Sequence, residues 1–131
     1  MTSIDCVSFT FCEVTETNDI NQEFPYVYNG TSIIQQVLPN YYALNYNDAI
    51  TCLSTSFCYD EGSNTSTNAS VALFYNGTSW SVSNPPTGYN FNNITCLSTS
   101  FCYDTGSNTS TNESEPLFYN GPTWSVIKQC H

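Results

Sequence analysis

Six of the seven cysteines occur as three pairs in which five residues separate the two partners. Disulfide formation and zinc binding are the two chemistries that such pairs can perform. Zinc sites favour cysteines spaced by two to four residues and usually include histidine, whereas the single histidine here is His131. Free, buried thiols are a third alternative. Because a turn between two short strands would bring each pair within bonding distance, we expect disulfides. The expected pairs are Cys6 with Cys12, Cys52 with Cys58, and Cys96 with Cys102.

The seventh cysteine, Cys130, has no partner in this pattern. An odd cysteine in an oxidised protein indicates either an intermolecular bond or an unpaired thiol. The segment Ile127 to Cys130 also resembles Ile50 to Cys52, so Cys130 is equally a candidate for the first cysteine of a truncated fourth repeat. The sequence leaves these roles open.

Seven asparagines match the Asn-X-Ser/Thr pattern that accepts N-linked glycans. Most of them fall in Ser/Thr-rich polar segments or beside Asn-Gly turns, which are exposed positions. The alternative is compositional bias, because the chain is rich in Asn, Ser and Thr. We expect covalent N-linked glycans and no other cofactor. The candidate sites are Asn29, Asn64, Asn68, Asn76, Asn93, Asn108 and Asn112.

Groups that support catalysis are scarce. His131 is terminal, so no Ser-His-Asp or Cys-His arrangement can be built on a rigid site. Asp60 and Asp104 occupy equivalent positions and are candidates for a glycosidase carboxylate pair, but we expect Asp60 to cap a turn. The acidic segment 15–23 lacks the ligand density of a calcium loop. We therefore expect neither enzymatic activity nor a metal site.

Composition also excludes classes of partner. Eleven acidic residues stand against one basic residue, Lys128, for a net charge of −10. Nucleic acids and anionic membranes both require basic patches, and no apolar run reaches the roughly 18 residues of a transmembrane helix. We expect neither nucleic-acid binding nor membrane insertion. Helix-forming Ala, Glu, Lys, Arg and Met are few, while Thr, Tyr, Phe and Val are plentiful, which favours strands.

An internal repeat organises the chain. Residues 50–83 and 94–127 are identical at 27 of 34 positions, and a diverged copy begins at Ile4. The three copies begin 46 and then 44 residues apart. We divide the chain into repeat 1 (1–49), repeat 2 (50–93) and repeat 3 (94–131), where repeats 1 and 2 include a connector and repeat 3 a C-terminal tail.

Each repeat predicts four antiparallel strands joined by a turn, a long polar loop and an Asn-Gly turn. The predicted fold is all-β, with three tandem blade-like β-meanders of about 44 residues in a propeller-like or stacked array. A two-residue Asn-Gly loop would fix the register of each hairpin. The side chains that this register places opposite each other would form the hairpin core. The expected cross-strand pairs are Leu73 with Trp80, Leu117 with Trp124, and Tyr26 with Ile33.

One motif runs through the repeats. Its residues are Cys52, Phe57, Cys58, Tyr75, Asn76, Gly77 and Trp80, with counterparts Cys96, Phe101, Cys102, Tyr119, Asn120, Gly121 and Trp124. The motif resembles a tandem repeat of secreted bacterial proteins, especially those of actinobacteria, which look like β-propeller blades. The resemblance implies a secreted, disulfide-bearing repeat and no particular ligand. Three copies are present, where propellers typically have at least four blades, and a Tyr-Asp pair replaces the family's Ala-Val-Asp.

Disulfides and glycosylation sites together predict a secreted or cell-surface protein. Met1 leads directly into repeat 1 and no signal peptide is visible. We expect that a signal was removed or that the chain is part of a longer one. An intracellular protein of a hyperthermophile is the remaining alternative.

Two non-enzymatic functions fit these features. The first, which we favour, is a structural subunit that self-associates into an extracellular, N-glycosylated, disulfide-stabilised filament or surface array, since an open repeat leaves strand edges to which other subunits add. The second is a carbohydrate-binding lectin or adhesin. Its sugar platforms would be aromatic residues of the connectors, for which packing between neighbouring repeats is the alternative. These residues are Tyr41, Tyr42, Tyr46, Tyr89 and Phe91.

Overall fold

A computed structural model describes residues 3–19, 22–45, 50–121 and 123–127 of the chain. These residues form fifteen β-strands and no helix. Among them there is accordingly no helix able to cross a membrane. Every pairing between the named strands is antiparallel. The prediction of an all-β, antiparallel chain is confirmed.

The largest sheet combines nine strands of repeats 1 and 2. They are β1 (Ser3–Ser8), β2 (Phe11–Thr17), β3 (Glu23–Tyr28), β4 (Ile33–Gln35), β5 (Tyr42–Leu44), β6 (Thr51–Ser54), β7 (Phe57–Asn64), β8 (Ser70–Tyr75) and β9 (Trp80–Ser83). The hydrogen-bonded order is β1-β2-β3-β5-β7-β8-β9, with β4 on β3 and β6 on β7. The connector strand β5 joins the two repeats because it pairs with both β3 and β7.

The remaining six strands form two smaller sheets. They are β10 (Tyr89–Asn90), β11 (Ile94–Ser98), β12 (Phe101–Asp104), β13 (Ser107–Asn108), β14 (Leu117–Tyr119) and β15 (Trp124–Val126). Four of them follow the order β11-β12-β14-β15, and β10 pairs with β13. Tyr89 pairs with Asn108 as Tyr42 pairs with Asn64, so the second connector meets repeat 3 as the first meets repeat 2.

The hairpin loop of repeat 2 is longer than the two residues that its Asn-Gly sequence predicted. Tyr75 pairs with Trp80, so residues 76–79 form a four-residue loop. The side-chain oxygen of Asn76 accepts hydrogen bonds from the backbone N–H groups two and three positions later, at 2.9 and 3.0 Å. These local hydrogen bonds stabilise the four-residue loop. The Asn-Gly pair alone did not indicate this loop length.

The longer loop moves each predicted hairpin pair by two residues. The predicted pairs are therefore wrong, and the observed ones are Tyr75 with Trp80, Tyr119 with Trp124, and Tyr28 with Ile33. Because side chains alternate with a period of two, the residues expected on one face still share it.

Two clusters of buried side chains form the core. One contains Phe57, Tyr59, Ala72, Phe91, Ile94, Cys96, Cys102, Leu117, Tyr119 and Trp124. The other contains Leu44, Ile50, Cys58, Val71, Leu73, Tyr75 and Trp80, with Phe11 and Leu38 packed against it. The first cluster combines residues of repeats 2 and 3, and the second combines residues of repeats 1 and 2. Consecutive repeats therefore bury each other's apolar side chains.

The predicted hairpin cores are occupied unequally. Leu73, Trp80, Leu117 and Trp124 are buried, whereas Tyr26 is half-buried and Ile33 is 64% exposed. The expectation that Ile33 lies in a core is wrong, because no described repeat packs on that side of repeat 1.

Candidate functional site

Each repeat presents two opposite faces, because side chains alternate along a strand. In repeat 2 one face carries Leu53, Phe57, Tyr59 and Phe74, and we term it the tyrosine face. The other face carries Ile50, Leu73, Tyr75 and Trp80, and we term it the tryptophan face. Both faces of repeat 2 contribute to the buried clusters.

The sequence repeat defines the equivalent residues elsewhere. The tyrosine face consists of Leu97, Phe101, Tyr103 and Phe118 in repeat 3, and of Val7, Phe11, Glu13 and Val27 in repeat 1. The tryptophan face consists of Ile94, Leu117, Tyr119 and Trp124 in repeat 3, and of Ile4, Tyr26, Tyr28 and Ile33 in repeat 1. Equivalent positions can thus be compared in different surroundings.

The tyrosine face of repeat 2 packs against the tryptophan face of repeat 3. The ring of Tyr59 lies edge-on at 5.8 Å from the ring of Tyr119 and at 6.4 Å from that of Trp124. Tyr59 is 2% exposed. Burial raises the pKa of its phenol, and a hydrogen bond with Tyr119 raises it further. Aromatic pairs of this geometry contribute about 0.5–1.5 kcal/mol beyond their buried area.

Repeats 1 and 2 meet through the same two faces, but with a polar contact at the centre. Glu13 replaces the tyrosine. The amide nitrogen of Gln36 donates to Glu13 Oε1 at 3.0 Å, and the indole N–H of Trp80 donates to Gln36 Oε1 at 3.0 Å. Burial raises the pKa of Glu13 to about 7, although the hydrogen bond from Gln36 lowers it. Burial also raises the pKa of Tyr75, and the negative charge of the nearby Glu13 carboxylate raises it further.

The residue at a second position also differs between the repeats, as the residue at the position of Tyr59 does. The residues equivalent to Gln36 are Ser83 in repeat 2 and Ile127 in repeat 3. Gln36 donates to Glu13, and the nearby Ser83 hydroxyl lowers the pKa of Tyr59, against the effect of burial. The central residue of each contact therefore has a polar neighbour within its own repeat.

Two faces at the ends of this series remain exposed. On the tyrosine face of repeat 3, Tyr103 is 39% exposed and Leu97 is 73% exposed. On the tryptophan face of repeat 1, Ile4 is 51% exposed and Ile33 is 64% exposed. The repeat 1 face forms a cavity of about 420 Å³. Its lining consists of Ile4, Cys12, Val14, Glu16, Tyr26, Tyr28 and Ile33. Apolar surface is thus uncovered at both ends.

The structure contains three disulfides, and they join the cysteines that the spacing paired. They are Cys6–Cys12, Cys52–Cys58 and Cys96–Cys102. Each joins directly opposed residues of two neighbouring strands. Three disulfides are typical of an oxidising, extracellular environment. Cys130, Lys128 and His131 lie outside the described residues.

Six of the seven predicted glycosylation sites lie in the loops at the ends of the strands, and the seventh is Asn93. Asn29 and Asn76 occupy hairpin loops, and Asn64 and Asn108 begin the polar loops at the opposite end of the strands. Their side-chain oxygens accept bonds from nearby backbone N–H groups. The other three sites, Asn68, Asn93 and Asn112, are exposed. Glycosylation itself remains a prediction.

Buried carboxylates are a feature that sequence reasoning missed. Glu13, Glu23, Asp60, Glu61 and Asp104 are each at most 5% exposed. Asp60 and Asp104 lie within β7 and β12, so the expectation that Asp60 caps a turn is wrong. The alternation of the strands was the available signal, since Asp60 shares a face with Leu73 through direct pairing. Among the residues that the structure describes, there is no group of three potential metal ligands.

The connector aromatics are placed in different ways. Phe91 is buried and Tyr42 and Tyr89 pack against the core clusters, as the packing alternative predicted. Tyr41 is 71% exposed. Tyr46 lies outside the described residues. Only part of the predicted aromatic set is therefore displayed on the surface.

Tyr41 lies in a cleft of about 580 Å³ built by β3, β4 and the first connector. Its φ of 71° is a conformation that residues other than glycine adopt at a cost of about 1–2 kcal/mol. The equivalent residue of the second connector is Gly88, with a φ of 87°. The backbone carbonyl oxygens of both residues accept a bond from a threonine N–H, at 2.7 and 2.8 Å. An exposed aromatic side chain is thus retained where the equivalent turn uses glycine.

Comparison with protein-family models, curated proteins and solved structures finds no match to this chain.

Proposed function

We propose that this protein is a non-enzymatic structural subunit of an extracellular, N-glycosylated assembly, either a filament or a surface array. The observation that carries the proposal is the contact between the tyrosine and tryptophan faces. It occurs twice within the chain, and one apolar face of each type is exposed at the ends of the series. Exposed apolar patches of this kind mark protein–protein contacts.

The arrangement of the repeats as three blade-like units belongs to the same proposal. Hydrogen bonds through β5 combine repeats 1 and 2 in one sheet, while face-to-face contacts follow the sequence repeat. Modules that contact only their neighbours can be extended by adding further modules. Disulfides within each repeat and glycans at the strand ends suit durable material outside the cell.

Sedimentation velocity of the unreduced, secreted chain tests this function. We expect the mean sedimentation coefficient to increase over a hundredfold range of concentration. The variant Cys130→Ser separates covalent from non-covalent association, and we expect it to assemble as well. A single species of one-chain mass at every concentration would refute the structural function.

Carbohydrate binding is a second candidate, favoured by the exposed Tyr41 in its cleft. Sugar rings stack on aromatic side chains, and the amide-bearing residues Gln35 and Asn40 line the same cleft. Strained backbone conformations cluster at functional sites, ligand sites among them.

The variant Tyr41→Gly tests this candidate because it removes the ring and the strain together. We expect the variant to be more stable than the wild type by about 1 kcal/mol and to lose saturable binding on a glycan array. The control is Val37→Gly, which changes an exposed neighbour in the cleft. No binding by the wild type across a broad array would eliminate the candidate.

A further inference from the structure

We infer that the tyrosine face of repeat 3 docks into the tryptophan face of repeat 1 of a second copy of the chain. This inference rests on the proposed structural function and identifies the joint between subunits. The contact continues the internal series, in which the tyrosine face of one repeat covers the tryptophan face of the next.

The donor side of this joint matches an internal donor in sequence and geometry. Leu97, Phe101, Tyr103 and Phe118 are the same residue types as Leu53, Phe57, Tyr59 and Phe74. The aromatic trios also have similar ring spacings, of 4.8–5.6 Å in repeat 3 and 4.9–5.3 Å in repeat 2. The repeat 3 trio is therefore arranged for the contact that the repeat 2 trio makes.

The acceptor side keeps one of the two aromatic rings that Tyr59 meets in the internal contact. Ile4 and Tyr28 correspond to Ile94 and Tyr119. Ile33 takes the place of Trp124, and it lines the cavity of about 420 Å³. Val14 replaces the buried Asp104, which makes the acceptor more apolar than its internal equivalent.

A second copy fits these two surfaces better than an unrelated partner. Each face has its complement on the other end of the same molecule, and in repeat 3 the apolar Ile127 stands at the position of the polar Gln36. Neither face contains a basic residue, and the one acidic residue in the cavity lining is Glu16. The hairpin and polar-loop glycosylation sites lie at the strand ends, so their glycans leave the faces free.

Such a joint is heterologous, because two different surfaces meet. Repetition of a heterologous contact produces a filament unless the rotation between subunits closes a ring. This property yields a sharp test. A chain with a blocked donor and a chain with a blocked acceptor each fail to self-associate, yet together they form one complete joint.

The experiment compares Tyr103→Glu, which blocks the donor, with Ile33→Glu, which blocks the acceptor. In repeat 1 the amide of Gln36 binds the Glu13 carboxylate. The residue equivalent to Gln36 in repeat 3 is Ile127, so no amide at that position can bind the carboxylate introduced by Tyr103→Glu. The matched control is Phe9→Glu, at a position that is 99% exposed and outside both faces. Near-UV circular dichroism establishes that each variant keeps the native packing.

Sedimentation velocity then gives distinct outcomes. We expect the wild type and Phe9→Glu to polymerise, each face variant to be monomeric, and an equimolar mixture of the two face variants to form a dimer that grows no further. Polymers of the face variants, or a mixture that stays monomeric, would overturn the joint while leaving the structural function intact. A wild type that is monomeric throughout would refute the structural function itself.

Discussion

Tyr59 and Tyr103 occupy equivalent positions in nearly identical sequences, yet they differ in exposure. Tyr59 is 2% exposed and Tyr103 is 39% exposed. Their flanking residues Phe57, Phe101, Phe74 and Phe118 form the same aromatic trios. Local sequence therefore builds the face, and the neighbouring repeat determines whether the face is core or surface. Repeat proteins usually carry a polar outer face on their terminal repeats, whereas Leu97 and Tyr103 are exposed on the tyrosine face of repeat 3.

The largest expected effect comes from truncating this pair of tyrosines. We expect Tyr59→Ala to destabilise the monomer by about 3–5 kcal/mol, because a large buried aromatic side chain leaves a cavity. We expect Tyr103→Ala to cost about 1 kcal/mol or less, since its ring is already partly hydrated. Urea unfolding at a concentration below self-association measures both. Equal losses in the two variants would show that the faces are not in different environments.

The contact through Glu13 predicts a pH dependence that the contact through Tyr59 lacks. The pKa of Glu13 is about 7 in the folded chain and near 4.5 when unfolded, so the folded state binds the proton more tightly. Its contribution to stability is complete below pH 4.5 and is lost as the pH rises through 7. At about 1.4 kcal/mol per pKa unit, the loss amounts to about 3 kcal/mol.

The variant Glu13→Gln tests this dependence, because the amide cannot ionise and can still bond Gln36. Urea midpoints measured from pH 4.5 to 8 should decline more steeply for the wild type than for Glu13→Gln. The exposed Glu16→Gln, on the same strand, is the control and should keep the wild-type slope. Parallel curves for the wild type and Glu13→Gln would contradict the burial of an ionisable Glu13.

The disulfides provide a comparison in which the repeats should behave alike. Each closes a loop with the same sequence separation of six residues. Loop entropy then predicts that replacing either pair Cys6 with Cys12 or Cys52 with Cys58 by alanine costs about 2 kcal/mol. Thermal unfolding of the two double variants measures this cost. A loss confined to one repeat would mean that packing, rather than chain entropy, controls the contribution.

The smallest effect separates the two tryptophans. The indole N–H of Trp80 donates to Gln36, whereas that of Trp124 is buried without a hydrogen-bond partner among the described residues. Trp80→Phe leaves the Gln36 oxygen without its donor, while Trp124→Phe removes a buried unpaired donor. We expect Trp80→Phe to be the more destabilising by about 1 kcal/mol. Denaturant unfolding of both variants checks the order, and the reverse order would contradict this hydrogen-bond assignment.

The hairpin strands and the disulfides could be predicted from the sequence because their signals are local, whereas the connector strands β5 and β10 were not predicted. The cysteine spacing, the β-favouring composition and the Asn-Gly turn can each be read within a single repeat. The hairpin register could not be predicted, since the side chain of Asn76 stabilises a four-residue loop around the same Asn-Gly pair. The candidate glycosylation sites come from the Asn-X-Ser/Thr pattern and stay predictions. The connector aromatics are visible in the sequence, but only the fold separates the exposed Tyr41 from the buried Phe91.

The contacts at the centres of the faces could not be predicted from the sequence for a different reason. Glu13 is a poor core residue by type, and it becomes acceptable only through Gln36, which lies 23 residues away in the chain. The exposure of Ile33 and Tyr103 depends on which repeat lies beside them. Such features require the arrangement of repeats, which a single sequence does not specify.

Negative-stain electron microscopy of the native, unreduced chain tests the central claim most directly. If the tyrosine face of one molecule continues onto the tryptophan face of the next, the material should form uniform fibres that lengthen with concentration. Discrete globules of one-chain size at every concentration would contradict this account of the exposed faces.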